Sequence, residues 1–164
     1  MNILYLHGLN GNLKPEKRQL LQHYGLVHAP RIDYENNPDA ISWLYKQYQK
    51  ESIDVIIGSS MGGFAGYHLC KRLQTPALLF NPALARRSVH QNTISTPPNN
   101  NHTMEIVLGA KDTVVFPKDT LTYLGEQIEN EQHYTISILP ELEHRIPIPI
   151  FENALFNFFN RNQL

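Results

Sequence analysis

Short apolar runs alternate along this chain with longer stretches in which apolar residues recur at helical spacing. The apolar runs predict strands at 2–6, 53–57, 77–80, 104–108 and 134–139, with a weaker strand at 27–32 that Pro30 interrupts. The stretches between them predict helices at 15–24, 38–50, 61–73, 117–130 and 147–161. This alternation is typical of a parallel sheet covered by helices.

The predicted strands are continuously apolar, which favours a sheet that is buried on both faces. We therefore expect an α/β fold in one domain, residues 1–164, with a mainly parallel sheet of about six strands and helices on both faces. Residues 84–103 differ, because they are rich in Asn, Ser, Thr and Pro and lack periodicity. Such a long segment is often functional, so we predict a lid or binding loop there.

Composition narrows the possible partners and the cellular setting. Of the 164 residues, 41% are apolar and 18% are charged, and the formal net charge is −1, which gives no reason to expect nucleic acid or an anionic membrane as partner. The single cysteine, Cys70, excludes an internal disulfide and a cysteine zinc cluster. The first residues predict a strand rather than a signal peptide, and no apolar run approaches membrane-spanning length. We expect a cytoplasmic protein without a metal site.

The segment from Gly58 to Gly63 contains the pattern G-x-S-x-G, centred on Ser60. It follows a predicted strand and precedes a predicted helix, which is the context of a nucleophile elbow. In such an elbow the serine occupies a strained turn, and glycines two residues before and after it avoid crowding the backbone. An ordinary strand-to-helix turn is the alternative. Ser59 is excluded as nucleophile because Ile57, not glycine, lies two residues before it.

Two further reactive side chains follow predicted strands, Asp112 after 104–108 and His144 after 134–139. A serine hydroxyl needs a base within hydrogen-bond reach, histidine suits that role near neutral pH, and a carboxylate orients the histidine. The chain order Ser, Asp, His is that of one common type of triad. The alternatives are a turn-forming role for Asp112, with Asp119 as rival acid, and a structural role for His144 like that expected of the other seven histidines. His68, on the helix after the elbow, is expected to be partly exposed.

The first predicted strand ends in His7-Gly8-Leu9, a turn that brings backbone N–H groups towards the nucleophile. We predict an oxyanion hole formed by the N–H groups of Leu9 and Met61. A plain glycine turn is the alternative. His7 is a candidate for substrate binding, with a structural hydrogen bond as the other interpretation.

Arg86 and Arg87 lie in the predicted loop at 84–103. Guanidinium groups there would suit an anionic substrate, such as one with a carboxylate or a coenzyme A phosphate. The alternative is that both arginines belong to a solvated loop without a ligand.

These motifs together resemble the α/β-hydrolase superfamily, and more narrowly the YqiA-like family of small bacterial esterases. The features that carry the resemblance are the opening segment 3–10, the elbow at 58–63, Asn81-Pro82-Ala83, the segment 109–112 and His144-Arg145-Ile146. The resemblance implies a compact α/β-hydrolase fold that hydrolyses acyl esters or thioesters without a metal or organic cofactor. The polar segment 84–103 departs from an apolar cap and leaves the acyl-chain preference open.

The sequence thus predicts a serine esterase or thioesterase with Ser60, Asp112 and His144 as its triad and a small acyl ester or thioester as its substrate. The same triad also supports amide or C–C bond hydrolysis and acyl transfer, because fold and triad do not fix the reaction. A binding protein without catalysis is a further alternative. Oligomeric state stays open at this stage.

Overall fold

A computed structural model of the chain describes residues 1–95, 102–127 and 134–164. In these ranges strands and helices alternate throughout. The elements are β1 (Asn2–Leu6), α1 (Pro15–Gln22), β2 (Leu26–His28), α2 (Ala40–Tyr48), β3 (Val55–Ser59), α3 (Met61–Leu73), β4 (Ala77–Phe80), β5 (Met104–Gly109), α4 (Pro117–Glu126), β6 (Tyr134–Leu139) and α5 (Ile148–Asn162).

The strands form one sheet in the order β2-β1-β3-β4-β5-β6, and every neighbouring pair is parallel. The chain first moves outward from β1 to β2 and then returns to place β3 on the other side of β1. A switch point therefore lies between β1 and β3, and in open α/β sheets ligands bind beyond the carboxyl ends of the strands at such a point. The register aligns Leu6 with Gly58 and Ser59 with Phe80, so three strands end next to Ser60.

Helices cover both faces of the sheet, as the apolar patterning predicts. On one face α1 and α5 bury an apolar layer that includes Leu21, Phe151 and Phe158. On the other face α2, α3 and α4 pack around a layer that includes Leu44 and Phe64. Apolar burial on this scale supplies the main favourable free energy of folding. The predicted α/β architecture is confirmed.

Both edges of the sheet differ from the sequence prediction. β2 covers only Leu26–His28 instead of 27–32, because Pro30 has no N–H to donate to a neighbouring strand. The expectation of strands buried on both faces is wrong for β6, where residues 135–138 are exposed, since an edge strand has a neighbour on only one side. The predicted part of α4 after residue 127 lies outside the described residues. Among the helices that the structure describes, none combines the length and apolar character needed to cross a membrane.

Candidate active site

A cleft of about 1090 Å³ lies beyond the carboxyl ends of the strands, and we call it the Ser60 cleft. Its walls come from the loops after β1, β3, β4, β5 and β6 and from the first turns of α1 and α5. The residues that line it are Gly8, Leu9, Asn10, Gly11, Asn12, Lys14, Glu16, Lys17, Ser59, Ser60, Met61, Ala83, Arg86, Arg87, Ser88, Val114, Val115, His144, Arg145, Ile146, Pro147 and Ile148. Ser60 and His144, predicted from separate motifs, thus open onto one cavity.

Ser60 sits at the turn between β3 and α3 in a conformation that few residues other than glycine adopt. Its backbone has φ of 56° and ψ of −117°. Three backbone hydrogen bonds hold the turn: Ser60 N–H donates to Phe80 O at 3.0 Å, and Ser60 O accepts from the N–H groups of Phe64 at 2.9 Å and Ala83 at 3.1 Å. Strain that the surrounding structure enforces in this way is common at functional sites. The strained turn predicted at Ser60 is present.

The two motif glycines are required by close backbone contacts rather than by unusual dihedral angles. A methyl group on Gly62 would overlap the carbonyl oxygens of Leu6 and His7, and one on Gly58 would overlap the carbonyl oxygen of Gly62. Neither glycine has a positive φ. The absence of side chains therefore lets α3 start directly against the ends of β1 and β3, which points its positive N-terminal end at the Ser60 cleft.

Asp112 and His144 are joined by a hydrogen bond of 2.8 Å between His144 Nδ1 and Asp112 Oδ2. The Asp112 side chain is fully buried, whereas a quarter of the His144 side chain is exposed. Asp112 Oδ1 accepts hydrogen bonds of 2.8 Å from the N–H groups of Val114 and Val115. The carboxylate is thus fixed from both sides, and with Nδ1 engaged the His144 ring has Nε2 left for the cleft.

Ser60 and His144 line the same cleft, but in the described part of the chain no direct hydrogen bond joins their side chains. In hydrolases without substrate, this contact is often long and tightens only when substrate binds.

Asn81, at the end of β4, links the loops on this side of the sheet, and the sequence analysis assigned it no role. Its side-chain amide donates to Glu143 O at 3.0 Å and to His144 O at 3.3 Å, and its oxygen accepts from Gly109 N–H at 2.7 Å. Asn81 is buried and has φ of 41°, a value that asparagine tolerates better than most residues. The signal in the sequence is the Asn-Pro pair that ends a buried strand. Its partners lie 28 to 63 residues away, so local spacing does not predict them.

Leu9 and Met61, predicted to form the oxyanion hole, both line the Ser60 cleft. Within the described ranges neither backbone N–H donates a hydrogen bond to another protein group. A methyl group on Gly8 would lie 3.3 Å from Ser60 Cβ, so the turn after β1 packs directly against the elbow. The two free donors therefore flank the serine, an arrangement that suits stabilisation of an oxyanion.

His7 lies behind the cleft rather than in its wall. Its ring nitrogens both bind backbone: Nδ1 donates to Gly8 O at 2.7 Å, and Nε2 accepts from Ile32 N–H at 2.9 Å. The side chain is buried and packs edge-on against Tyr34. This position differs from the predicted contact with substrate and matches the alternative of a structural hydrogen bond, because no ring nitrogen is left for a ligand.

Arg86 and Arg87 reach the cleft but already have partners. Arg86 Nε lies 3.2 Å from Asp119 Oδ2 in an exposed ion pair. Arg87 Nη1 donates to Leu84 O at 2.7 Å, and its guanidinium lies 4.0 Å above the Phe64 ring. Burial lowers the pKa of Arg87. Its contacts fix the segment after β4 in place.

The segment predicted as a lid is anchored where the structure describes it. Gln91 is buried and donates from Nε2 to Tyr34 O at 2.8 Å and to Asn37 O at 3.0 Å. Asn92 N–H donates to Pro38 O at 2.8 Å. These contacts tie residues 84–95 to the loop before α2. Residues 96–101 of the predicted loop lie outside the described residues.

The expectation that His68 is partly exposed is wrong, because the side chain is buried between the rings of Phe64 and Tyr67. Burial lowers its pKa to about 4, with a further contribution from the positive charges of Lys71 and Arg87. A neutral ring is therefore the form that the fold favours. Among the described residues, no three His, Cys, Asp or Glu side chains lie together in a position to hold a metal ion.

The sequence matches the model of the uncharacterised protein family UPF0227 over residues 2–136. The chain belongs to this family. The resemblance to the YqiA-like α/β hydrolases is thereby confirmed. The match to UPF0227 includes Ser60 and Asp112 and ends before His144, so the place of His144 in the site rests on the geometry alone.

Solved structures with the same fold are distant in sequence from this UPF0227 member. Arabidopsis thaliana SOBER1 is 13% identical with a TM-score of 0.73, and the match covers 100% of this chain and 99% of that protein. A carboxylesterase of Bacillus cereus is 16% identical with a TM-score of 0.66, covering 96% and 87%. A hydrolase of the α/β superfamily from Xanthomonas campestris, described as putative, is 12% identical with a TM-score of 0.68, covering 98% of both chains. These likenesses show that the chain has the α/β-hydrolase fold.

Proposed function

We propose that this protein is a carboxylic ester hydrolase, an esterase or thioesterase, that works through an acyl-enzyme on Ser60. One observation carries the proposal: a serine held in a strained elbow opens onto the same cleft as a histidine whose Nδ1 lies 2.8 Å from a buried carboxylate. A serine with only a structural role would not require a positive φ. A His–Asp pair with only a structural role would not need its histidine to line the same cavity as that serine. The family and the fold agree with this chemistry but do not fix it.

In the first step Ser60 Oγ attacks the acyl carbonyl carbon while His144 Nε2 takes the hydroxyl proton. Asp112 holds Nδ1, which selects the tautomer with a free Nε2 and stabilises the imidazolium that forms. The buried carboxylate cannot rotate away, because Val114 and Val115 N–H groups hold its other oxygen. The His144 ring is therefore held in one orientation.

The negative charge that develops on the carbonyl oxygen is received by the Leu9 and Met61 N–H groups. Leu9 lies in a turn closed by the hydrogen bond from Gly11 N–H to Gly8 O, and Met61 is the first residue of α3, so both donors require little reorganisation as the charge forms. The N-terminal end of α3 adds a favourable field at the same point. Loss of one such donor typically lowers the rate by a factor on the order of a hundred to a thousand.

The tetrahedral intermediate collapses when the C–O or C–S bond to the leaving group breaks and His144 returns its proton to that group. Water then attacks the acyl-enzyme with His144 as base, which releases the carboxylic acid and restores Ser60. Every proton in this cycle moves through His144 Nε2. The chain's own side chains and water are sufficient for the proposed reaction.

The apolar part of the Ser60 cleft suits a small acyl group. Leu9, Val115, Ile146 and Ile148 line it, and Ala83 adds a small side chain. We propose a small acyl ester or thioester as substrate. Arg86 and Arg87 also line the cleft, where Arg86 pairs with Asp119 through Nε and Arg87 donates to Leu84 O through Nη1.

The test is a panel of matched ester, thioester and amide substrates with short acyl chains. Wild type and Ser59→Ala should hydrolyse esters or thioesters, and Ser60→Ala should not, although both serines lie at the same strand end. Faster turnover of amides than of esters would assign a different reaction to the same triad. Absence of turnover in a folded protein that still retains a ligand after Ser60→Ala would favour a binding protein.

A further inference from the structure

The charge of the Ser60 cleft is opposite in sign to that of the whole chain. The formal net charge of the protein is −1, with 14 Lys and Arg against 15 Asp and Glu. Among the cleft-lining side chains, however, five are cationic and one is acidic: Lys14, Lys17, Arg86, Arg87 and Arg145 against Glu16. A cleft lined by one sign of charge concentrates ligands of the other sign.

Two of these five cations have contacts that fix part of the guanidinium. Arg86 pairs with Asp119 through Nε, and Arg87 donates to backbone carbonyls through Nη1 and stacks on Phe64, while its Nε is buried without a hydrogen-bond partner in the described ranges. Both arginines remain on the side of the cleft formed by the segment after β4.

The other three cations lie on the opposite side of the cleft and, like Arg87, have no acidic partner in the described ranges. In the described ranges no ion pair joins Lys14, Lys17 or Arg145 to a carboxylate. Lys14 and Arg145 are exposed at the margin of the cleft, and Lys17 is half-buried on α1. The Lys17 ammonium lies 4.8 Å from the centre of the Phe151 ring of α5, the helix that begins three residues after Arg145.

Lys17 is the member of this set that is most withdrawn from solvent, because it is half-buried while Lys14 and Arg145 are exposed. It lines the cleft without a carboxylate partner in the described ranges, and burial lowers the pKa of its ammonium. A contact with an aromatic ring compensates only in part. An anion bound in the cleft would supply the missing partner, and Arg145 and Lys14 line the same cavity.

We infer that the substrate is an ester or thioester that carries a carboxylate or phosphate group, bound by Lys17 and Arg145 with Lys14 at the margin. This inference rests on the proposed function, because it assigns the anion to the molecule that Ser60 cleaves. It moves anion recognition from the loop after β4 to the side of the cleft formed by α1 and α5.

The test compares each anionic ester with a neutral analogue of the same shape. For the carboxylate, mono-p-nitrophenyl adipate is compared with its methyl ester; for the phosphate-like group, p-nitrophenyl 5-phosphonopentanoate is compared with its dimethyl phosphonate ester. The measured quantity is the ratio of kcat/KM, anionic over neutral, within each variant. In wild type we expect at least one pair to give a ratio of roughly ten, the size of one charge-assisted contact, and the pair that does so identifies the anion.

Lys17→Gln and Arg145→Gln should each lower this ratio several-fold, and the double variant should bring it close to one. Lys17→Arg should restore most of it, which separates loss of charge from loss of packing on Phe151. Lys50→Gln removes a charge at the end of α2, away from the cleft, and should leave the ratio unchanged. High salt should lower the wild-type ratio.

Two results would overturn the inference, and they differ in what they say about the proposed function. If wild type hydrolyses the neutral esters but both ratios lie near one, or if the Lys17 and Arg145 variants leave the ratios unchanged, the inferred anion site is wrong. The proposed hydrolase function is not contradicted by that result. If no ester in the set is hydrolysed by folded protein, the proposed function fails and this inference fails with it.

Discussion

The two halves of the proposed catalytic site are built in different ways. The nucleophile half consists of backbone packed against backbone: Gly58 and Gly62 allow α3 to start against β1, and the turn of Gly8 closes on Ser60. The acid–base half consists of side chains that bind across long stretches of chain. There Asn81 joins three loops, and Asp112 receives hydrogen bonds from His144, Val114 and Val115.

This difference predicts how substitutions in each half should affect folding and activity. Where backbone packs directly against backbone, a substitution cannot have a graded effect, because one added methyl group either fits or displaces a helix. A network of hydrogen bonds can lose one member and keep the fold, while the orientation of its histidine changes. We therefore expect damage to the nucleophile half to affect folding and activity together, and damage to the acid–base half to affect activity first.

The largest expected effect is that of Gly62→Ala. The new methyl group would overlap the carbonyl oxygens of Leu6 and His7, so α3 must move away from β1. We expect a loss of roughly 3 kcal/mol in the free energy of unfolding and loss of ester hydrolysis. Thermal or denaturant unfolding and ester turnover measure the two effects.

Gly125→Ala is the control, because no atom lies near a methyl group added at that position of α4. It should be neutral or raise the free energy of unfolding by roughly 0.5–1 kcal/mol. Equal destabilisation by the two variants would contradict the backbone-packing account.

Asp112→Asn should come next, with its main effect on rate. The amide cannot hold His144 in the required tautomer, so kcat should fall by a factor on the order of ten thousand while the protein remains folded. Asp119→Asn is the matched control, since that carboxylate pairs with Arg86 at the surface and such pairs contribute roughly 0–1 kcal/mol. Steady-state kinetics of both variants on a neutral ester shows which of the two carboxylates is needed for the rate. A larger loss in Asp119→Asn would give that residue the role proposed for Asp112.

Asn81→Gly should have an intermediate effect. It keeps the backbone free to adopt φ of 41° and removes the amide that binds the carbonyls of Glu143 and His144. With the His144 loop less fixed, we expect kcat to fall roughly ten- to a hundredfold, consistent with small misplacements of a catalytic group. KM should change little. Asn81→Ala removes the same amide and adds backbone strain. Similar kcat values for both variants would therefore assign the effect to the lost side chain. A wild-type kcat in Asn81→Gly would exclude this positioning role.

The smallest effect concerns His68, on the helix that follows the elbow. Its pKa in the folded protein is about 4, below the ordinary value of 6.5, so between these values the unfolded state binds more protons. Above pH 6.5, where His68 is neutral in both states, the free energy of unfolding is not reduced by this group. As the pH falls towards 4, the free energy of unfolding decreases by roughly 3 kcal/mol at most. His68→Phe should reduce this slope in denaturant unfolding between pH 7 and pH 4, and His23→Gln, at an exposed position, should not. Parallel slopes for wild type and His68→Phe would contradict the prediction.

The same contrast explains what the sequence predicts well. The elbow is local, because strand, glycines, serine and helix occupy about twenty consecutive residues, so its pattern predicts both the turn at Ser60 and the need for Gly58 and Gly62. The sheet is also predicted by local patterning, except at its edges, where Pro30 shortens β2 and β6 lacks a second neighbour.

The features that the sequence did not predict depend on contacts between distant residues. The role of Asn81 requires partners on β5 and in the loop before α5. The hydrogen bond of His7 Nε2 depends on Ile32, which is 25 residues away. That Arg86 pairs with Asp119 and that Lys17 lies beside Phe151 likewise depends on residues far apart in the chain. These contacts leave no fixed spacing in the chain, whereas the rings of Phe64 and Tyr67 that bury His68 lie within four residues of it on the same helix.

The central claim is that Ser60 is an activated nucleophile, and labelling with a fluorophosphonate followed by mass spectrometry tests it most directly. The reagent requires an activated serine and assumes no substrate. We predict one adduct, on Ser60, in wild type and in Ser59→Ala, much slower labelling in His144→Gln, and no adduct in Ser60→Ala. Folded wild-type protein that stays unlabelled, or an adduct that persists in Ser60→Ala, would contradict the account.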